Sequence, residues 1–331
     1  MTEKIKISLP ERIAELMRKD ARDFRVLKPS GEENLNAFIN SLVLNFYEEF
    51  SADDERLREG IRAALAPVPE KYAKGVLPEL LRAIARRDAG EDELGRSIPV
   101  SFKPTKSSEA VTLYIENVLL KGEALSSYYR RLFIAYAKKT KNERERIIHR
   151  ENCSLLLAAA KKGVQVCLSL DNGHVDSGIS VYAVAAARDE LFNYALLYGE
   201  GKNRTVRLAK IRTVSLLTEP AEIPPEARER FDRQIAQGAQ YPIYSTDDEP
   251  IRVELTEKGR ELFERIYLYR PTPTAVEGDV YTFDCSANQV LYYFERFGAE
   301  ALILHPKRLG IFMRNYYYFA LKKYRSIYGK D

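Results

Sequence analysis

The chain holds only three cysteines, three histidines and no tryptophan. Cys153, Cys167 and Cys285 are odd in number, widely spaced and set among apolar residues, which reads as buried reduced thiols and excludes a disulfide framework. His149, His174 and His305 lie far apart and none falls in a ligand-spaced pair, so no metal site is expected. No apolar run approaches the roughly 18 residues that a membrane span needs. The start, MTEKIKISLPERIAEL, lacks a signal peptide's apolar stretch, so a cytoplasmic location is expected. Gly-rich phosphate loops and nucleophile elbows are missing too, so the chain reads as a non-enzyme with no catalytic residue and no cofactor.

What is present describes a folded protein of two or three domains: 331 residues, 45% hydrophobic and 30% charged, with 15 prolines and 17 glycines. The net charge of +4 is too mild to identify a partner. Its distribution is more informative. The segment from Tyr128 to Arg150 carries Arg130, Arg131, Lys138, Lys139, Lys141, Arg144, Arg146 and Arg150 against Glu143 and Glu145 alone. The C-terminal MRNYYYFALKKYRSIYGKD is also basic and aromatic. Such stretches grip phosphates and stack bases. On a second reading their aromatic faces are core or dimer interface and their basic faces are merely solvated.

Along the N-terminal half, Lys4 to Leu9 alternates strictly, Ile5, Ile7 and Leu9 on one face and Lys4, Lys6 and Ser8 on the other, which predicts a half-buried strand. Pro10 opens a helix with Ile13, Leu16, Met17, Ala21 and Phe24 in its stripe. After the LKPSGEEN turn a second helix carries Leu35, Phe38, Ile39, Leu42, Val43 and Phe46. A strand and two helices in this order resemble the ribbon-helix-helix family, whose units pair through their strands to form a ribbon that enters the DNA major groove. The pattern recurs. Ile98 to Phe102 matches Ile5 to Leu9, Ser107 to Val118 predicts a helix, and Leu125, Tyr128, Tyr129, Leu132, Phe133 and Tyr136 repeat the second stripe. Two copies, at residues 1–50 and 97–140, are thus expected within residues 1–150, spaced by a helical insert from about Asp53 to Arg87. They pair either within one chain or between two chains. The second copy offers Pro99, Ser101 and Lys103 where the first has Lys4, Lys6 and Ser8, so its recognition face is degraded. Those lysines are either contacts to nucleic acid or solvated charges.

After the helical ENCSLLLAAAKKG, strands are predicted at Val164 to Leu170, Ile179 to Ala186, Phe192 to Tyr198, Arg204 to Leu208 and Ile211 to Leu217. The stretch FNYALLYGEGKNRTVRLAKIRTVSLL resembles the core of WYL domains, a Trp-Tyr-Leu strand followed by an Arg-rich one. Tyr194 takes the family tyrosine's place, while Asn193 and Ala195 replace its neighbours. The second motif is followed from Arg204 to Ile211 except at its aspartate, and the family's basic strand is missing at Ser180, Val181 and Tyr182. The resemblance implies an Sm-like β-barrel over residues 151–219 that binds nucleic acid or another anion. Tyr182 and Tyr194 would stack on bases and Lys202, Arg204 and Arg207 would hold phosphates. The other reading has the tyrosines plugging the barrel and the arginines paired with surface acids.

From Ile251 the order reads βαββαβα, resembling the α/β extension that follows many WYL domains and serves assembly; residues 220–331 are assigned to it. Its last helix, with Phe312, Tyr316, Tyr317, Tyr318, Leu321 and Tyr324, is too aromatic to stand alone in water, which predicts a homodimer contact. The fold class is α+β: a helical ribbon-helix-helix half, a central Sm-like barrel and an α/β dimerisation region. This combination resembles the WYL accessory proteins of type VI-D CRISPR systems, which implies binding of single-stranded RNA and stimulation of an RNA-guided effector nuclease. The alternative is a WYL transcription regulator that reads duplex DNA through Lys4, Lys6 and Ser8.

Overall fold

The computed structural model describes residues 4–89, 96–120, 122–189 and 191–329, which form two compact units divided after Arg150. In the first, β1 (Ile5–Pro10) keeps its alternation, Ile7 and Leu9 buried and Lys6 and Ser8 exposed. α1 (Glu11–Asp23) follows at once. Asn34 then caps α2 (Leu35–Ala64), its Oδ1 accepting from Ala37 N at 3.0 Å. α2 runs past Asp53, where a separate insert was expected, because nothing breaks it before Pro67 and Pro69. The insert is therefore the second half of α2 plus α3 (Glu70–Ala89).

β2 (Ser97–Phe102) pairs antiparallel with β1, Ile5 opposite Phe102 and Pro10 opposite Ser97. The ribbon thus forms within one chain. α4 (Lys106–Tyr114) passes into a π turn over Ile115–Leu119, and α5 (Leu125–Lys138) and α6 (Lys141–Ile148) complete the unit. Beneath the ribbon Phe102 meets Tyr129 edge-on at 5.4 Å and Phe38 meets Tyr136 at 6.0 Å, all four buried. Each such side chain removed from water contributes about 1.5–3 kcal/mol. Asn40 secures the second strand to α2: its Nδ2 donates to Lys103 O and its Oδ1 accepts from Thr105 N, both at 3.0 Å.

In the second unit α7 (Arg150–Lys162) packs Leu156 and Ala159 into the core of a five-stranded antiparallel sheet. Its strands are β3 (Val164–Leu170), β4 (Val175–Ala186), β5 (Asn193–Gly199), β6 (Lys202–Arg207) and β7 (Ile211–Pro220), in spatial order β6-β5-β4-β3-β7. Glu200 and Gly201, both at positive φ, make the two-residue hairpin between β5 and β6. The expected closed barrel is not formed: among the described residues β6 and β7 are the two edges of an open sheet. A 3-10 turn at Leu208–Lys210 separates the two edges in sequence. Leu208 drops into the core and Ile211 emerges opposite Leu170 of β3 instead of returning along β6.

α8 (Pro225–Gln237), a helix the sequence reading missed, covers the sheet's other face. Asn203 Nδ2 donates to Ala227 O at 3.1 Å and Gln234 Nε2 to Thr205 Oγ1 at 2.9 Å. The rest keeps the βαββαβα order: β8 (Ile251–Leu255), α9 (Glu257–Arg265), β9 (Pro273–Glu277), β10 (Val280–Phe283), α10 (Ala287–Phe294), β11 (Ala301–His305) and α11 (Lys307–Tyr328). Its sheet runs β11-β8-β10-β9 and packs on Phe263, Tyr293 and Phe294.

Candidate nucleic-acid interface

Strand parity distributes the predicted residues. On β6 alternate residues share a face, and residues paired across a ladder share it too. Tyr194 pairs with Arg207, and Leu197 with Arg204. Leu197 belongs to the core under α7, so Arg204 and Lys202 lie at the rim of that face while Tyr194 and Arg207 lie on the face that carries α8. Four of the five residues drawn from this domain therefore make two places, and Tyr182 is apart from both. Tyr182 is turned to α8, its ring stacked on Phe231 at 5.0 Å and its hydroxyl donating to Asp232 Oδ1 at 2.5 Å. That bond and burial hold its hydroxyl above the ordinary tyrosine value.

Tyr194 and Arg207 sit side by side beyond the end of α8, both half-buried. The Arg207 guanidinium carbon lies over the Phe192 ring, 3.4 Å from its centre, a cation–π contact that holds the charge against an aromatic face. Tyr241, within electrostatic reach of Tyr194, has its hydroxyl pushed up to about 12 by burial, with the nearby Tyr269 adding to the shift. Arg188 braces the adjoining loop by donating to Arg270 O at 3.2 Å and Thr272 Oγ1 at 3.1 Å. Phe192 lies against this guanidinium, and Tyr194 is its partner across the ladder.

Lys202 and Arg204 instead line a groove of about 560 Å³ along the β6 edge, together with His174, Asp176, Arg230 and Tyr244. Arg204 donates to Asp176 at 2.6 Å and to Glu200 at 3.1 Å. Asp176 also meets His174 Nε2 at 3.0 Å. Burial pushes the Asp176 carboxyl up, but Arg204 and His174 outweigh it and hold the group below its ordinary range. Asp176, Arg230 and Tyr244 went unnoticed in sequence and His174 was weighed there only as a metal ligand; the spacing of His174 and Asp176 on one hairpin was their only signal.

The basic segment from Tyr128 to Arg150 is no open phosphate grip. Its aromatics Tyr128, Tyr129, Phe133 and Tyr136 are buried. Arg131 is held by Asp54 and Glu123, Lys139 by Glu49, Lys141 by Asp23 and Arg144 by Asp20. Arg130 and Arg150 donate to the carbonyls of Ser8 and Asn45. On the ribbon Lys4, Lys6 and Ser8 are exposed, with Pro99 opposite Ser8 and Ser101 opposite Lys6. Along α11 only Leu309 and Met313 are buried, whereas Phe312, Phe319, Leu321, Tyr324 and Ile327 stand 47–66% exposed. Among the described residues no helix is long and apolar enough to cross a membrane, and no group of His, Cys, Asp and Glu could hold a metal ion.

No family model matches the chain, and no curated protein matches it. Among solved structures, a match to the proteasome accessory factor PafBC of Arthrobacter aurescens covers 70% of this chain and 38% of that one at 18% identity, with a TM-score of 0.26. A second match covers 99% of this chain and 95% of the other at 17% identity with a TM-score of 0.65. The chain shares, over nearly its whole length, the fold of a protein described as CRISPR Cas-related.

Proposed function

We propose that the chain is a non-catalytic accessory protein of a CRISPR system that captures single-stranded RNA on its WYL-like sheet and stimulates a type VI-D RNA-guided ribonuclease. The observation that carries the reading is the Tyr194–Arg207 pair, set across one ladder beside Phe192. A ring for stacking next to a fixed cation is what a single strand offers its base and phosphate to, whereas a duplex hides its bases. The fold shared with a CRISPR Cas-related protein supports the setting. A second copy of the chain is the proposed cover for the exposed apolar residues of α11, giving a homodimer with two RNA sites and the avidity that follows. The ribbon's exposed Lys4, Lys6 and Ser8 favour a second reading, in which a ribbon-helix-helix unit contacts duplex DNA and the protein regulates transcription.

The test compares labelled single-stranded RNA, single-stranded DNA and duplex DNA across salt concentrations, using the wild type, Tyr194→Leu and Arg207→Ala. Single-stranded RNA should bind tightest. Loss of the Tyr194 ring should cost about 1–3 kcal/mol, and loss of Arg207 should flatten the salt dependence by about 0.7 in log–log slope. Preference for duplex would shift the reading to the ribbon. Binding untouched by both substitutions would remove the site from this face. Addition of the protein to a purified effector's cleavage reaction tests stimulation directly.

A further inference from the structure

The helical insert of the N-terminal unit leaves a cleft that the proposed strand surface does not involve. It measures about 380 Å³ and lies where α2, α3 and α5 meet. Its apolar lining comes from Phe46, Phe50 and Leu57 of α2, Leu81 and Ile84 of α3 and Ile134 of α5. The two rings are 6.5 Å apart and tilted by 41°. Folding has not filled this space. Leu57 stays 40% exposed, and of the side chains described on α3 only Leu81 is buried. Pro78 weakens α3 further, since it removes a backbone donor from the middle of the helix. α3 therefore lines the cleft with little apolar burial of its own to hold it there.

The charges around the cleft decide what kind of guest it takes. Asp53, Asp54 and Glu143 stand against Arg131, Lys138 and Lys139, so the lining is neutral in sum. Each is engaged within the chain. Asp53 pairs with Arg56, Asp54 with Arg58 and Arg131, and Lys139 with Glu49 at 2.7 Å. Glu143 accepts from Thr140 N at 2.7 Å, and Lys138 is not free either. The attraction of the rings for a cation is likewise taken up: Lys139 Nζ lies 5.8 Å from the Phe46 ring centre and the Arg131 guanidinium carbon 5.5 Å from that of Phe50. An ionic guest would have to break one of these pairs, whereas an uncharged apolar guest breaks none and removes apolar surface from water. Ring pairs gain beyond the area they bury, so two phenylalanines favour a guest that is itself a ring. The volume lies in the range of small-molecule sites, roughly 300–1,000 Å³. We propose that the cleft is a binding site for an uncharged aromatic small molecule, which lies against Phe46 and Phe50 and completes the packing of α3 on α2 and α5. Its binding stabilises the folded N-terminal unit. It needs neither Tyr194 nor Arg207, so it stands or falls apart from the strand reading.

The experiment titrates the full chain with the fluorescent probe N-phenyl-1-naphthylamine and with its charged relative, 8-anilinonaphthalene-1-sulfonate. Three variants accompany the wild type. Ala135→Phe fills the cleft from α5, Leu57→Asn makes its open side polar, and Leu321→Glu with Tyr324→Glu removes apolar surface from α11. Ala135 and Leu57 are both partly exposed, and thermal melts check that each variant is folded. The neutral probe should bind as one molecule per chain and about tenfold or more tightly than the sulfonate. Ala135→Phe should abolish its binding, Leu57→Asn should weaken it about fivefold, and the α11 variant should keep it within about twofold. The bound probe should also slow hydrogen exchange of the α3 amides between Val76 and Ile84, which a probe lying on α11 would not do. No binding by the wild type, equal binding of the two probes, or binding undiminished in Ala135→Phe overturns the proposal. Release of the probe as protein concentration rises assigns the cleft to a second copy, and its displacement by the purified effector assigns it to a protein partner. Either result overturns the small-molecule reading.

Discussion

Replacing Arg131 with Met tests whether the basic segment is structural. Arg131 and its partner Asp54 are only 10% and 9% exposed. The guanidinium donates to both Asp54 oxygens and reaches Glu123 at 2.6 and 3.1 Å, while Arg58 donates to Asp54 at 2.8 Å and Glu123 at 3.2 Å. Two cations and two anions thus balance in a shielded site. Arg131→Met leaves two carboxylates facing one guanidinium, and breaking a buried pair in this way costs about 3–5 kcal/mol. With an ordinary urea dependence the unfolding midpoint of the N-terminal unit should fall by about 2 M, read by the circular dichroism of its helices. The pH dependence fixes the sign. Burial pushes the Asp54 carboxyl up, but Arg131 and Arg58 more than offset this and hold it below its ordinary value of 3.8. In the wild type, that contribution to stability is present above the ordinary value and is lost as pH falls through the lowered one. Without Arg131 burial dominates and the carboxyl titrates higher, so the variant's deficit should shrink on mild acidification. Adding Asp54→Asn should recover part of the loss at neutral pH. A midpoint shift below about 0.5 M, or a deficit that grows on acidification, would refute the reasoning.

Other substitutions separate structural from binding residues. Tyr182→Phe removes the bond to Asp232 and should lower stability by roughly 0.5–1.5 kcal/mol, with RNA affinity unchanged; a large affinity loss would return Tyr182 to the interface. Leu321→Glu with Tyr324→Glu should convert a dimer to a monomer by light scattering, and a wild type already monomeric would end the second-copy role of α11. Lys6→Ala should leave single-stranded RNA affinity within about twofold, since the ribbon lies outside the proposed strand surface; a drop of tenfold would favour the ribbon reading.

Much of the framework was legible because it rests on local periodicity. β3 and β8 begin and end where alternation does, at Val164–Leu170 and Ile251–Leu255, and β11 spans the apolar run of Ala301–His305. Two strands that each had only one apolar face called for a pairing, but the sequence left open whether it forms within one chain, as β1 and β2 do, or between two. α8 was missed because it buries polar groups: Gln234 and Gln237 point inward beside Ala227 and Phe231, so no apolar stripe betrays it. The ion partners of the basic segment were equally hidden. Asp20, Glu49 and Asp54 lie some 75–125 residues before the cations they neutralise, and a one-dimensional charge count sees only the cations.

The division of the predicted site has a different cause, since the information was present in the sequence. Arg204 and Arg207 stand three apart on one strand, an odd separation that must place them on opposite faces. Grouping them with Tyr194 by side-chain chemistry left that parity out of account. Register then decides the company each keeps: Arg207 faces Tyr194, whereas Arg204 faces Leu197 and donates to Asp176. Because the sheet stays open at β6, that edge has no strand partner among the described residues, and the side chains along it line a groove where a closed barrel would have a wall. Openness and parity together turn one expected anion site into two surfaces of different chemistry. One sets Tyr194 beside an Arg207 held against Phe192; the other gathers Lys202 and the ion-paired Arg204 along the open edge. An Arg207 substitution should therefore weaken single-stranded RNA binding in a direct titration, and an Arg204 substitution should leave it intact; equal losses from both would refute the division.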